Sequence, residues 1–447
     1  MKFTRRNVLA AMGAGGLSLL PFSRAFADDL PSSLLGTNPI WIPSNAPITP
    51  VPTTYATAGR VVVIGGGMAG TTVAKYLRIW GGSKVQVTLV EPSSAYVANI
   101  MSNLVLNNQV SQSSLYFNWN RLTTYYGVQR IQGTVSGIDP VNRKVTLAGG
   151  STLSYDRLVV APGIEMDVVP GLESAAAQAL VPHAWMPGTQ ISTLRTQIQS
   201  MAAGGTFLIS VPKAPYRCPP GPYERACVVA DYFRVYKPGS KVIVLDENPA
   251  IVAEAHTFTN AFASLGIIYR PSTAVVSVDA VNRSVVTSAG TTIKASVLNI
   301  IPNHRAGRVL SNNGLVNVGG RWAGVDVLTY QSTVAGASNI HIIGDSTSSG
   351  QPKSGHIGNQ EAKICADAIV RAFLGLAPDQ QVVTNTACYS PVSATKASWL
   401  TAIYAYDPLS QAMKVTANSP GEALSPSSDN LQEMRQWFSN LMTDSFA

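Results

Sequence analysis

Cysteine, charge and long apolar runs are all scarce in this 447-residue chain. Only Cys218, Cys227, Cys365 and Cys388 occur, and none precedes Arg217. No pair is spaced as CxxC, which argues against a ribbon-type zinc site and predicts no metal centre. No CxxCH occurs either, so the chain carries no c-type haem of its own. Charged residues make up 13% of the sequence and hydrophobic ones 46%, enough to bury a large core. The net charge is +8, but Lys2, Arg5, Arg6 and Arg24 supply four of it, and 8 − 4 leaves +4 for the rest. That balance is too mild for nucleic-acid binding, and neither a basic run nor an RNA-type aromatic motif is present. The apolar run from Val8 to Leu20 is 13 residues long, short of the ~20 that span a bilayer.

What the N-terminus does hold is a twin-arginine pattern, Thr4-Arg5-Arg6-Asn7-Val8-Leu9, ahead of that apolar run. Ala25-Phe26-Ala27 follows as a small-residue cleavage site before Asp28. Residues 1–27 therefore predict an export signal and a periplasmic location; an uncleaved or lipid-anchored segment is the alternative. The twin-arginine route carries folded proteins, which suits a chain that takes up a cofactor before export. In an oxidising compartment the four cysteines can pair in three ways, and spacing does not choose among them.

Length allows two or three domains. Residues 28–58 are rich in proline, serine and threonine and read as an extended arm. Residues 60–64 predict a strand, 65–70 a tight turn, then a helix to about Trp80 and a strand over 84–90 ending in Glu91: a βαβ opening. Residues 135–147 and 151–158 predict short antiparallel strands, and 158–163 a buried strand ending in a small-residue turn. A second α/β unit spans about 180–295, with strand 206–211, helix 226–236, strand 241–245 and helix 252–265. Strand 339–343 ends in Gly344-Asp345, and a helix covers Asn359 to Phe373. The expected fold is α/β: two Rossmann-like dinucleotide-binding domains of the glutathione-reductase-like kind, plus a C-terminal α+β region. The first domain takes 28–178 and 296–375, the second 179–295, and the C-terminal interface and active-site domain 376–447. No internal repeat is evident beyond the two α/β units.

Gly65-x-Gly67-x-x-Gly70 fits the dinucleotide fingerprint. The first glycine permits the turn, the second lets backbone approach a pyrophosphate, and the third lets helix and strand pack closely. Glu91 lies 21 residues after Gly70, placed to accept ribose hydroxyls. The equivalent turn of the second unit is different. There, Tyr216-Arg217-Cys218-Pro219-Pro220-Gly221-Pro222-Tyr223-Glu224-Arg225 holds three prolines where a nicotinamide site needs N–H donors. The chain has a thiol and an acid in place of a pyridine-nucleotide cradle. Gly344-Asp345 resembles the second FAD-contact motif of two-dinucleotide flavoproteins, with Asp345 holding a ribityl hydroxyl and the helix N-terminus near Asn359 facing the flavin. An ordinary turn or helix cap is the bland reading of Asp345. Ala161-Pro162-Gly163 resembles the ATG-type motif of the same superfamily, and together the three motifs favour FAD.

Arg217 to Arg225, Pro352-Lys353-Ser354-Gly355 and Asn385-Thr386-Ala387-Cys388-Tyr389-Ser390 resemble the flavoprotein subunit of flavocytochrome c sulfide dehydrogenase. The resemblance implies that Cys218 and Cys388 form a redox-active disulfide over the flavin and that Lys353 and Gly355 join the cofactor-contact set. It also implies a c-type cytochrome subunit as electron acceptor. A purely structural staple is the alternative for the cysteines. Glu224, six residues after Cys218, is either the acid/base or a carboxylate placed for the helix dipole. Cys227 and Cys365 read as buried apolar-like residues. In this family a cysteine shortly after the second strand often tethers the flavin; Asn99 takes that place here, so FAD is expected to bind non-covalently. Leu431, Met434, Trp437, Phe438, Leu441 and Met442 have helical spacing and face the core, a partner or a membrane. Asp429, Glu433 and Asp444 against Arg435 disfavour anionic lipid. The expected activity is oxidation of hydrosulfide to zero-valent or polysulfide sulfur. Sulfide:quinone oxidoreductase and a non-catalytic flavoprotein partner of a sulfur-oxidising complex are the alternatives.

Overall fold

The computed structural model describes residues 59–447; the expected export signal and the arm over 28–58 lie outside the described residues. Two parallel sheets form the frame. The first contains β1 (Gly59–Ile64), β2 (Val85–Glu91), β3 (Gln129–Gln132) and β4 (Arg157–Val160). The second contains β5 (Thr206–Val211), β6 (Lys241–Asp246), β7 (Ile268–Arg270) and β8 (Val297–Asn299). The chain then returns to the first sheet with β9 (Ile340–Ile342). The strand orders are β9-β4-β1-β2-β3 and β7-β6-β5-β8, with every neighbouring pair parallel. Their central strands are unbroken apolar runs: Val61, Val62, Val63, Leu158, Val159, Val160, Phe207, Leu208 and Ile209 are all buried. Such runs suit sheets covered on both faces.

Helix α1 (Met68–Gly81) leaves β1 through the glycine turn and packs against α4 (Gly355–Phe373). Helix α2 (Gly221–Tyr236) follows β5, and α3 (Ala255–Leu265) follows β6. Three helix starts differ from the sequence expectation. Helix α2 begins at Gly221 rather than 226, inside the proline-rich stretch, because proline is tolerated in a first turn whose N–H groups have no helical partner. Helix α4 begins at Gly355 rather than Asn359; the Ser354 hydroxyl accepts from the Ile357 N–H and caps it. Helix α3 begins at Ala255 rather than 252, after Glu254 turns with φ 49°.

The likeness between the two units also runs further than the sequence reading expected. Each sheet is interrupted before a later strand, β4 or β8, by a three-stranded antiparallel meander, Val135–Asp139/Lys144–Leu147/Thr152–Ser154 and Val275–Asp279/Ser284–Thr287/Thr292–Lys294. Asp139 and Asp279 each accept from Asn142 and Asn282, and Arg143 and Arg283 both have φ 52°. After each meander the chain is tied to an interior strand of its own sheet by two matching bonds: Asp156 N–H to the Arg60 carbonyl with Arg60 N–H to the Asp156 carboxylate, and Ser296 N–H to the Thr206 carbonyl with Thr206 N–H to the Ser296 hydroxyl.

A third, antiparallel sheet pairs β10 (Val383–Pro391) with β11 (Ala397–Asp407), extended by β12 (Ala412–Val415) and β13 (Gly421–Glu422). Helix α5 (Ser428–Phe446) packs on β10 and β11 and on α1. Its Leu431, Met434, Phe438, Leu441 and Met442 are buried, so this face belongs to the core. Each fully buried side chain of that size contributes about 1.5–3 kcal/mol. Among the described residues no helix is long and apolar enough to cross a membrane.

Candidate active site

The sheets and α5 enclose a cleft of about 290 Å³. Its floor is the glycine turn after β1. A Cβ on Gly65 (φ 97°) would meet the Ala161 carbonyl oxygen at 2.3 Å, and one on Gly70 would meet the Gly65 carbonyl oxygen at 1.8 Å. Gly70 is therefore a packing glycine and does not line the cleft, as its place in the fingerprint predicts. Gly67 is different: the nearest atom to a Cβ there is the Tyr96 ring at 3.9 Å, so its backbone stands open to the cleft. Glu91 closes this end, its carboxylate accepting from Gly66 N–H at 2.7 Å and Ser93 N–H at 2.8 Å. Ala161, Gly163, Gly344, Asp345 and Gly355 line the cleft as well.

The sulfur end is built from two remote segments. Cys218 comes from the turn before α2 and Cys388 from β10, yet both line this one cleft and Cys388 helps to raise the Cys218 thiol. All four cysteines carry free thiols in this structure, and Cys227 and Cys365 are fully buried on α2 and α4. Cys218 sits at φ 58°, a left-handed conformation uncommon outside glycine and asparagine. Two bonds hold it there: its N–H donates to the Lys353 carbonyl at 2.8 Å, and its own carbonyl accepts from Gly221 N–H at 3.0 Å. The latter bond also spends the first amide of α2. Pro222 has none, and Glu224 N–H is bonded to the Pro220 carbonyl. Three of the four first-turn positions are thus closed to a pyrophosphate.

Glu224 occupies the first turn of α2 and is buried in the cleft wall. Burial pushes its carboxyl up to about 8, against the pull of a hydrogen bond from Asn103. Asn103 was not singled out from sequence. Its Nδ2 donates to Glu224 Oε1 at 2.8 Å and to the Gly221 carbonyl at 3.1 Å, while its Oδ1 accepts from Arg225 Nε at 2.8 Å. One amide therefore fixes the acid and the adjacent guanidinium together. Arg225 is 1% exposed and stacks over Trp185 with 4.6 Å to the ring centroid. Its remaining donors reach the carbonyls of His183 and Ala184 and Asn299 Oδ1. Burial lowers its guanidinium to about 9. Burial also drives both active-cleft thiols upward, Cys388 to about 12, with Glu254 and Glu224 adding to the effect.

Asp345 is paired as well as positioned: Arg217 Nε donates to its Oδ2 at 2.7 Å, tying the cysteine turn to the Gly344-Asp345 turn. Two expected cofactor contacts lie elsewhere. The Lys353 ammonium turns away from the cleft to the carbonyls of Asp345 and Thr347, 3.6 Å from the centroid of the Trp322 ring, so it braces the turn instead of lining the site. Asn359 is buried and donates to Thr72, Asp444 and Ser445, so the helix end that faces the cleft is Ser354–Gly355. Asn99 does line the cleft. Met434 and Trp437 of α5 and His356 complete the wall; the His356 ring accepts from Ala387 N–H at 3.0 Å.

Comparison with known proteins agrees with this arrangement. A family model described as sulfide dehydrogenase (flavocytochrome c) flavoprotein chain, central, matches residues 191–302. One for pyridine nucleotide-disulphide oxidoreductases matches 59–185. The sulfide dehydrogenase (flavocytochrome c) flavoprotein chain of Chlorobaculum thiosulfatiphilum is 54% identical over 46 residues, which are 94% of that sequence and 10% of this one. The chain belongs to the flavocytochrome c sulfide dehydrogenase flavoprotein family. A mitochondrial sulfide:quinone oxidoreductase from Dictyostelium discoideum is 22% identical over 75% of this chain and 76% of its own. The crystal structure of the sulfide:quinone oxidoreductase from Aquifex aeolicus shares the fold, with a TM-score of 0.70 at 17% identity over 87% of this chain and 92% of that one. The two-domain α/β fold expected from the sequence is the one found. The family is one of flavoproteins, and the cleft suits a flavin dinucleotide: Gly67 leaves the space a Cβ would fill, and a carboxylate stands at each end, Glu91 and Asp345.

Proposed function

We propose that this chain is a periplasmic FAD-dependent sulfide dehydrogenase that oxidises hydrosulfide to zero-valent or polysulfide sulfur, with a c-type cytochrome subunit as the acceptor. The observation that carries this reading is that Cys218 and Cys388, from segments far apart in sequence, line the same cleft as the glycine turn and Asp345. Gly65, Gly67, Glu91, Ala161, Gly163, Gly344, Asp345 and Gly355 would hold FAD, and Gly70 would keep the cradle closed. When bound, the flavin supplies a two-electron acceptor beside the thiols. Binding is non-covalent, since no cysteine precedes Cys218 and Asn99 stands at the tether position.

Hydrosulfide is a soft nucleophile and attacks one sulfur of a Cys218–Cys388 disulfide. A new S–S bond forms, the old one breaks, and the second cysteine leaves with the electron pair as a thiolate. A thiolate is costly in so buried a place, so protons must be managed locally. Glu224, with its carboxyl poised near neutral pH, takes or returns the proton. Asn103 and Arg225 hold that acid in place.

Anaerobic titration with sulfide tests the reading. The bound flavin should bleach, added cytochrome c should be reduced, and Cys218→Ser should abolish both. Bleaching with transfer only to a quinone analogue would move the assignment to sulfide:quinone oxidoreductase, the reading favoured by the Dictyostelium and Aquifex likenesses. No bleaching at all would leave the chain as a flavoprotein partner whose cysteines only staple it. Denatured protein that kept its flavin fluorescence after acid precipitation would refute non-covalent binding.

A further inference from the structure

A second buried acid, Glu254, is close enough to act on both Cys388 and Glu224. Glu254 lies at the turn between β6 and α3, in a left-handed conformation with φ 49°. It is 5% exposed. Its Oε2 accepts from the Ser390 hydroxyl and the Ser398 hydroxyl also stabilises its charge, while its buried Oε1 makes no close hydrogen bond. Ser390 is two residues from Cys388 on β10, and alternate residues of a strand share a face, so the thiol and the hydroxyl that holds Glu254 point the same way. A buried, half-satisfied carboxyl in a strained turn is costly, and such costs collect at working sites.

We propose that Glu254 is a positioning residue for the sulfur chemistry: its carboxyl charge governs how readily Cys388 becomes a thiolate, so that opening the disulfide is coupled to proton uptake at the Cys388 sulfur. The groups around it fit this role. Glu224 and Cys227 face it from α2, Cys388 and Ser390 from β10, Ser398 from β11 and Glu422 from β13, and no ion pair to it is present among the described residues. Arg225 offsets the charge of Glu224, while Glu254 and Cys388 compete with no ion pair of their own among the described residues. Burial pushes Glu254 up to about 7, which lets it change state near neutral pH. When the S–S bond breaks and leaves its electron pair on the Cys388 sulfur, that sulfur, a stronger base than the carboxylate, takes up one proton from bulk water, and the charge of Glu254 beside it favours the uptake.

This inference rests on the proposed disulfide chemistry but is tested without sulfide. In the reduced, FAD-loaded protein, the rate of Cys388 alkylation by iodoacetamide is followed against pH by peptide mapping. Glu254→Gln should make Cys388 react about tenfold faster at a given pH, a thiol shift of about one unit. Glu254→Asp keeps the charge and should stay with the unaltered protein. Superposed profiles for the Gln variant, or equal shifts for Gln and Asp, would overturn the role of charge. If the Gln variant does not fold, the unaltered protein decides instead: the rise of its Cys388 alkylation rate with pH should flatten where Glu254 ionises, near pH 7, and an unbroken rise overturns the proposal. A shifted alkylation profile in a protein that sulfide fails to bleach would retain the coupling and discard the sulfide dehydrogenase reading.

Discussion

Glu224 shows how much one side chain can reveal when its surroundings are known. Its ordinary value is 4.5 and its folded value about 8. The folded state thus binds more protons than the unfolded one between those values, so stability falls as pH rises through that window. Glu254, raised to about 7, adds to the slope. The thermal midpoint of the protein should drop between about pH 5 and pH 8, and Glu224→Gln should flatten that drop; differential scanning at a series of pH values reads it directly. Asn103 supplies the companion test. Its amide hydrogen bond lowers the Glu224 value, so Asn103→Leu should move the pH midpoint of sulfide-dependent bleaching upward, and stopped-flow absorbance would show it. Neither Asn103 nor Glu254 was visible in the sequence. Asparagine in a short turn and glutamate before a helix are common, and only the convergence of β10, α2 and the Ser102–Val105 turn gives these two a role.

The elements divide by how local their signals are. The first βαβ unit was legible because its apolar runs and glycine spacing are local, and β1, α1 and β2 fall within a residue or so of expectation. Its glycines make separable predictions. Gly70→Ala forces a Cβ to 1.8 Å from the Gly65 carbonyl oxygen, so it should pry α1 from β1 and cost about 2–3 kcal/mol in denaturant unfolding. Gly67→Ala meets nothing closer than 3.9 Å, so it should leave the apo-protein's unfolding unchanged while weakening FAD binding, as fluorescence titration would report. Helix α2 was misjudged because proline signals both loop and first turn, and only the bonds of Cys218 decide between them. Lys353 was assigned to the cofactor on its string alone. A lysine beside a glycine turn looks the same whether its ammonium meets a ligand or, as here, two carbonyls and the Trp322 ring.

At the scale of the molecule, the site depends on α5 closing against the rest. Phe438 is buried, with its ring 6.2 Å centroid to centroid from Phe117. Phe438→Ala should cost about 3–5 kcal/mol and hasten release of the flavin, since Met434 and Trp437 of the same helix line the cleft; the rise of free-flavin fluorescence after dilution would time it. The duplicated meanders carry a different consequence. Asp139 to Arg143 and Asp279 to Arg283 encode the same hairpin, turn for turn. What tells the copies apart is the strand each one meets: Arg60 answers the Asp156 carboxylate with an ion pair at 3.1 Å, where Thr206 offers the Ser296 hydroxyl only its N–H. Asp156→Ser would erase that key and leave nearness along the chain alone to sort the two hairpins.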